Sequence, residues 1–556
     1  MARSKTRVYT CCALLVLLAI AIIVCLALLR RKCPRDTFPK AAVAADSWKC
    51  SEIGRDILQQ GGSAVDGAIA ALLCTSIMNP QSAGIGGGSI FTVMDSSGEV
   101  KIINSRETVP SQVEPDLLTS CSKQLIGSKW IGVPGEIRGY EKAHKLYGKL
   151  PWADLFQPTI ELARKGFPVP PVQGEYIPYI PDENMTQPLR KLYSDENGNL
   201  LKTGEIVKFE KLANTLEIIA KNGADSFYSG KIAKDLIRDV QEAGGKLTLE
   251  DLASYNVTVT DAWIVPIGEY QMYTPPPPAG GFLLSLILNI MTGFQMKSPP
   301  RSDDEKTLFY HRYIEAFKFA NGLKSHIRDP RFFSDKMAKE ITNSDFSSHI
   351  RSLISSDRTH DPQYYNTSSY LDSLGTTHVS VLAEDGSAVS VTSTINHIFG
   401  SRIYSSSTGV ILNNELADFC GRANSFSPGE QPPSSMAPVV LKSQSKILLI
   451  GASGGSMITT GLASALINHL WFGKSLKEAI ASPVVFINSK NAAKFEPGFD
   501  EDVIKTLKAR GHNHEPPGKF YNVVNAVEKV LSSRWICGSL AGAFGGPALT
   551  GGSSQA

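Results

Sequence analysis

Neither sign of charge dominates this chain: 56 Lys and Arg stand against 53 Asp and Glu, a net charge of +3 over 556 residues. That balance excludes the broad basic surface used to bind nucleic acid, so no nucleic-acid partner is expected and any charged ligand must be held by local groups. Cysteine is sparse as well. Nine cysteines are too few for a disulfide scaffold, and none stands in a CxxC or mixed His/Cys spacing that would hold zinc. Internal repeats are lacking, and no G-K-[ST] closes a phosphate-binding Walker loop. With 42% apolar and 20% charged residues, disordered and collagen-like classes are excluded and a large buried core is expected.

Long hydrophobic runs are equally scarce, with one exception. Residues 11–29 carry no charge and reach the length, about 20 residues, that a helix needs to cross a bilayer. A cleaved signal peptide ends in small residues, whereas this run ends Leu28-Leu29-Arg30-Arg31-Lys32, so an uncleaved signal anchor is expected. Arg3, Lys5 and Arg7 precede it and Arg30, Arg31, Lys32 and Arg35 follow, so charge alone leaves the orientation open. Three N-x-[ST] sequons, at Asn184, Asn256 and Asn366, all follow the run and can accept glycans in a lumenal domain. Cys50 and Cys74 flank a helix-like stretch; they close a disulfide in an oxidising compartment, or stay as two buried thiols otherwise. Together these features favour a cytoplasmic tail at 1–10, a transmembrane signal anchor at 11–29 and an extracellular body, a single-pass type II plasma-membrane protein.

Residues 42–78 show apolar positions at helical spacing interrupted by Gly61-Gly62, which predicts two helices and a turn. The cluster Gly84 to Gly88 precedes a strand-like Ser89 to Val93, and a dinucleotide loop would need a helix there, so the glycines are read as sites of close backbone packing. Residues 130–355 read mainly as helices with proline-containing loops. Pro275 to Pro278 is either an SH3-type ligand or a rigid connector. Thr376 to Thr394 reads as two alternating strands around Glu384-Asp385-Gly386. A three-residue hairpin loop wants a left-handed residue, commonly glycine, at its last position, where Gly386 stands. That register sets Thr376 opposite Thr394, with Asn396 further along the same face, whereas a two-residue Asp-Gly turn would separate the faces.

Two constellations carry chemistry. Lys446 to Ile450, then Gly451 to Ser456, then a helical Met457 to Trp471 form a strand, a glycine turn and a helix, whose free N–H groups suit a phosphate or a developing oxyanion. The same turn matches G-x-S-x-G, which would make Ser453 a nucleophile with partners among Asp500, Asp502, His512 and His514. Arg106, the carboxylates Glu415 and Asp418, and the hydroxyls of Ser434 and Ser435 are each ordinary surface or turn residues taken singly. As a set they can hold the carboxylate and the ammonium of an α-amino acid.

Thr376-Thr377-His378-Val379-Ser380, Thr394-Ile395-Asn396, Asn413-Asn414-Glu415 with Asp418, Ser434-Ser435-Met436 and Gly454-Gly455 together resemble the γ-glutamyltransferase family. The likeness runs from about Ala42 to Val530 and includes Trp130 to Glu136 and the Pro275 run. Cys50 to Arg55, Asn413 to Cys420 and Asn488-Ser489-Lys490 look most like its leukotriene C4-hydrolysing branch. The resemblance implies an α+β N-terminal-nucleophile hydrolase fold with four αββα layers. It also implies self-cleavage between Gly375 and Thr376, giving a large subunit at 30–375 and a small subunit at 376–556 that stay together as a heterodimer. Thr376 would be the nucleophile, Thr394 its orienting partner, and Gly454 and Gly455 the oxyanion hole. Arg106, Ser434 and Ser435 would hold the α-carboxylate of a γ-glutamyl group, and Asn396, Glu415 and Asp418 its α-ammonium. The implied substrates are glutathione, its conjugates and leukotriene C4, the acceptors water, amino acids or dipeptides, with neither cofactor nor metal.

Two other functions compete: a serine α/β-hydrolase built on Ser453, and an anchored binding protein that never matures. Residues 532–556 depart from the family pattern, which resembles S-D-x-R-K-x-G after a final strand. Here Ser532 to Gly538 leads into a Gly/Ala/Ser-rich tail, and a missing terminal strand is expected.

Overall fold

In the computed structural model, residues 37–38, 40–121, 125–295, 298–366, 372–516, 522–531 and 538–542 are described. The span expected at 11–29 lies outside them, and among the described residues no helix is long and apolar enough to cross a membrane.

The organising element is the hairpin of Thr377–Leu382 and Ala388–Thr394. Its strands pair with Thr377 opposite Ser393 and Leu382 opposite Ala388. The Ala383 N–H closes the turn onto the Ser387 carbonyl (2.9 Å), and Gly386 takes φ +88°, the geometry of the three-residue loop. The hairpin lies within an antiparallel six-stranded sheet, in the order Ala42–Ala45, Thr377–Leu382, Ala388–Thr394, Gly88–Met94, Val100–Ser105, Thr258–Asp261. A second, seven-stranded sheet runs Thr37–Phe38, Gly538–Gly542, Val523–Val530, Lys446–Ser453, Val439–Lys442, Tyr270–Thr274, Trp263–Ile267.

The alternation of one strand explains the layering. Val379 and Val381 pack among helices Trp48–Gln59 and Ala64–Met78, while Leu382 packs with Leu449 and Val527 of the other sheet. The sheets therefore face each other, with helices on both outer faces; Gly281–Thr292, Asp303–Gly322 and Ile458–Leu466 cover the seven-stranded side. Helix Ala64–Met78 is buried along nearly its whole length, and a reciprocal cap starts it: the Asp66 N–H donates to Ser63 Oγ and the Ser63 N–H to Asp66 Oδ2. Cys50 and Cys74 join it to its neighbour as a disulfide.

Four expectations are corrected or decided here. Ala42–Ala45 is a strand rather than the start of a helix, since it finds a free edge beside Thr377–Leu382. Residues 258–274, within the stretch read mainly as helical, form three strands: Thr258–Asp261 and Trp263–Ile267 are edge strands of the two sheets, and Tyr270–Thr274 lies between Trp263–Ile267 and Val439–Lys442, as their β-branched and aromatic residues favour. The proline run is a connector: Pro278 is buried and its carbonyl accepts the Ser434 N–H (2.8 Å), which removes the SH3-ligand reading. The terminal strand is present, because Gly538–Gly542 pairs with Asn525 to Lys529. The ladder is made by backbone groups, so a strand lacking large side chains still completes it.

The glycine cluster acts by close packing. A Cβ on Gly87 would lie 2.0 Å from the Thr394 carbonyl oxygen, so only glycine lets this backbone pass behind Thr394.

Candidate active site

Thr376 enters its strand with φ +80° and is almost fully buried. A β-branched residue in the left-handed region is strained. Its N–H donates to the Ser82 carbonyl (3.2 Å), which also accepts the Ile395 N–H (3.2 Å), so one carbonyl spans the open end of the hairpin. Thr376 Oγ1 lies 3.2 Å from Thr394 Oγ1, as the register requires. Thr394 Oγ1 also accepts the Asn396 N–H (2.8 Å), and Asn396 Nδ2 donates to the Asn414 carbonyl (3.1 Å).

The Gly375 carbonyl, which belongs to the bond before Thr376, accepts the Gly454 N–H at 2.8 Å. Gly454 (φ +113°) and Gly455 (φ +56°) form the turn between strand Lys446–Ser453 and the following helix. Ser456 holds the same segment, its N–H donating to the Ser373 carbonyl (3.1 Å) and its Oγ accepting the Ser373 N–H (3.1 Å). A Cβ on Gly375 would meet the Asn396 carbonyl oxygen at 2.1 Å. The residue before Thr376 is thus restricted to glycine.

The second constellation converges on Arg106, which is fully buried at the end of strand Val100–Ser105. Its Nη1 meets Glu415 Oε1 at 2.5 Å and its Nη2 meets Asp418 Oδ2 at 2.7 Å. Its Nε and Nη2 donate to the carbonyls of Pro432 and Pro433, both at 3.0 Å. Ser434 and Ser435 follow those prolines directly and are buried. Ser434 Oγ accepts the Met436 N–H (3.1 Å), and Glu415 and Asp418 share the short helical turn Glu415–Phe419. The expectation set Arg106 apart from the two carboxylates. Here they pair directly, because opposite charges buried together neutralise one another. Burial pushes the Glu415 carboxyl well above the carboxylate range despite Arg106, and Glu107, 3.8 Å from Arg106, rises to about 8, also through burial. Burial works against the Arg106 charge as well, but Glu415, Asp418 and Glu107 hold its pKa up.

The serine-hydrolase reading fails on geometry. Ser453 is buried and its hydroxyl points to the Val523 carbonyl (3.5 Å). Asp500 pairs with Lys306, Asp502 with Lys505, His512 bonds His311, and His514 stacks on Phe495, so no proposed partner reaches it. Although no metal spacing is visible in the sequence, His311, Glu315 and His512 bring ligand atoms within 4.8 Å of one another. These groups already satisfy each other: His311 Nδ1 bonds His512 Nε2 (2.8 Å), and the Lys318 ammonium sits 3.1 Å from His512 Nδ1 and 3.3 Å from Glu315. A cation is thus built in.

Sequence reasoning missed three groups. Asp46 is buried beneath strand Thr377–Leu382, accepts from Thr377 Oγ1 (2.8 Å) and Asn525 Nδ2, and is raised to about 7 by burial; a lone Asp after an apolar run carries no signal of this. Glu107 was adjacent to a singled-out arginine, yet nothing local marks it as buried. Cys121 and Cys420 form a disulfide across a separation of 299 residues, a pairing no spacing rule reveals.

A Gamma-glutamyltranspeptidase family profile matches residues 50–539. The glutathione hydrolase 5 proenzymes of Rattus norvegicus and Homo sapiens are 44% and 42% identical, over 94% and 89% of this chain and 95% and 91% of theirs. Among solved structures, the cephalosporin acylase from Bacillus halodurans superposes with TM-score 0.80 at 23% identity over 92% of this chain and 95% of that one, a likeness of fold. The Helicobacter pylori gamma-glutamyltranspeptidase covers 57% of this chain and 93% of its own, with TM-score 0.53 and 26% identity. With its profile matched across nearly the whole described body, this chain belongs to the Gamma-glutamyltranspeptidase family.

Proposed function

We propose that this protein cuts itself before Thr376 and then cleaves γ-glutamyl amides, passing the γ-glutamyl group to water or to an amino-acid or dipeptide acceptor. One observation carries the reading: the Gly375 carbonyl accepts the Gly454 N–H while Thr376 Oγ1 rests against Thr394 Oγ1. In the first reaction Thr376 Oγ attacks the Gly375 carbonyl carbon, with Gly454 stabilising the oxyanion. The C–N bond breaks, the nitrogen gains a proton, and water hydrolyses the resulting ester to leave a Gly375 carboxylate and a free Thr376 amine. An α-amino group has a pKa of about 7.7 to 8.0, so a sizeable fraction is neutral near pH 7.4 and can act as the base for its own hydroxyl.

In the second reaction the γ-carbonyl of the substrate takes the place of the Gly375 carbonyl, and Gly455 joins Gly454 in stabilising its oxyanion. Thr394 orients the Thr376 amine and hydroxyl. Arg106, Ser434 and Ser435 receive the α-carboxylate, while Asn396, Glu415 and Asp418 receive the α-ammonium. A zwitterion suits the observed pairing, since its two charges exchange partners with Arg106 and the carboxylates and leave the buried charge balanced. The γ-glutamyl-threonine ester so formed is resolved by water or an acceptor amine.

Glutathione, its conjugates and leukotriene C4 are the proposed substrates, and none of these steps calls for a cofactor. The disulfides Cys50–Cys74 and Cys121–Cys420 and exposed asparagines at 184, 256 and 366 support an extracellular, glycosylated body behind a signal anchor at 11–29. The test is a denaturing gel of purified protein, N-terminal sequencing of the smaller fragment, and hydrolysis of a chromogenic γ-glutamyl anilide. A smaller fragment beginning at Thr376, with activity, supports the reading. An intact chain that binds γ-glutamyl compounds without hydrolysing them would make it the inactive binding homologue.

A further inference from the structure

We infer that the Cys121–Cys420 disulfide joins the two products of self-cleavage covalently and holds the turn that receives the substrate's ammonium; this rests on the cut between Gly375 and Thr376 proposed above. Cys121 lies on one side of that cut and Cys420 on the other. Cys50 and Cys74 both lie before it, so among the described residues the Cys121–Cys420 bond is the one disulfide crossing the cut.

The fragments need no tether to stay assembled. Strand Thr377–Leu382 pairs with Ala42–Ala45, and Ala388–Thr394 with Gly88–Met94, so both fragments are woven into one sheet. The effect of the disulfide is therefore local, and its location is specific. Cys420 immediately follows the turn Glu415–Phe419, and its N–H donates to the Ala417 carbonyl (3.0 Å). Cys121 follows the turn Leu117–Ser120. The two turns share a small apolar cluster of Val109, Leu117, Trp130, Leu416 and Phe419, separate from the main cores. On the opposite side of the same turn, Glu415 and Asp418 meet Arg106. The N-terminal side of the turn is anchored by Asn413 and Asn414, whose side chains donate to the carbonyls of Gly86, Gly132 and Leu125, and the cross-link at Cys420 fixes its other end, beside Asp418. Cys121 and Cys420 are positioning residues in this scheme.

The experiment uses matured full-length protein whose free thiols have been blocked by an alkylating agent, run on denaturing gels with and without dithiothreitol. The dithiol gives two electrons and two protons to the disulfide, yielding two cysteine thiols and oxidised dithiothreitol. The inference expects one species of full-length mass without reductant and two fragments with it, and two fragments either way for Cys121→Ser or Cys420→Ser. Fragments of the wild type that separate without reductant overturn the link. A chain that stays whole after reduction refutes the cut instead, and mapping a Cys121 peptide cross-linked to a Cys420 peptide then tests the pairing alone. For the positioning role, KM for a γ-glutamyl anilide should rise about fivefold or more in both variants with kcat unchanged, in thiol-free buffer. Should a variant fail to mature, reducing the matured wild type should produce the same rise in KM, reversed on reoxidation. A KM that stays at the wild-type value in linked and unlinked enzyme overturns positioning.

Discussion

Replacing Thr394 separates its two hydrogen bonds from its shape. Thr394→Val keeps the branched outline but removes the oxygen that lies 3.2 Å from Thr376 Oγ1 and accepts the Asn396 N–H at 2.8 Å. Thr394 is 2% exposed, so water does not replace the lost acceptor, and the Asn396 N–H is left unsatisfied in the interior. Two neutral hydrogen bonds are together worth about 1 to 3 kcal/mol. Expressed wholly in the barrier, that is roughly a 5- to 150-fold slowing. Thr394→Ser keeps the oxygen and loses one methyl, so it should stay within a few-fold of wild type. Self-cleavage is followed as the fraction of cut chain against time after synthesis, and turnover is measured on active-site-titrated enzyme with a γ-glutamyl anilide. Both rates should fall for valine and recover for serine. If Thr394→Val cleaves and turns over as the wild type does, the hydroxyl contact has no chemical role and the hairpin register is incidental.

Arg106→Lys should lower kcat/KM about 10- to 150-fold by losing a charge-assisted hydrogen bond, as measured on cleaved, folded protein; unchanged kinetics would remove Arg106 from the site. Gly375→Ala should block cleavage while the chain still folds, because its Cβ would strike the Asn396 carbonyl oxygen; a gel showing normal processing would refute the close approach. Burial raises the Asp46 carboxyl from 3.8 to about 7, so the native state holds its proton longer than the unfolded chain. The wild type therefore loses this contribution as pH climbs from about 4 to about 7. Urea midpoints of Asp46→Asn, compared with wild type, should become relatively more favourable across that window, and a constant difference would contradict it. Ending the chain after Cys537 exposes the Asn525 to Lys529 edge and should reduce the cleaved fraction in cells, while equal maturation would show that the terminal strand is dispensable.

Where a structural decision was local, it could be read from residues. Gly386 at the end of a three-residue loop set the hairpin register, and with it the meeting of Thr376 and Thr394. The glycines at 84–88 were legible as close packing because no helix followed them. Decisions made across the fold left no comparable trace. The strand at 538–542 exists because the neighbouring Val523–Val530 accepts it, and its Gly-Ser-Leu-Ala-Gly sequence is a weak strand former, whereas 258–274 carries β-branched and aromatic residues that favour strands. Asp46 acquires its environment from Thr377 and Asn525, residues distant in sequence. Cys121 and Cys420 are likewise brought together only by folding. For Arg106, Glu415 and Asp418 the charges indicate the ligand end they suit, whereas their pairing with one another is made only by folding.

With the cut before Thr376 proposed above, the hydrogen bond between Gly454 and the Gly375 carbonyl would make birth and service of the enzyme compete for one seat. Once that peptide bond were severed, the new carboxyl terminus would still sit where an incoming acyl group has to lie, fastened additionally by the two contacts between Ser373 and Ser456. Severing the chain is therefore not the same event as switching on activity. Between them would come an eviction, in which the 372–375 end lets go of four hydrogen bonds, the fourth from the Ser489 N–H to Asp372 Oδ2, and withdraws, so freshly cut molecules would pass through an interval in which they are their own occupant.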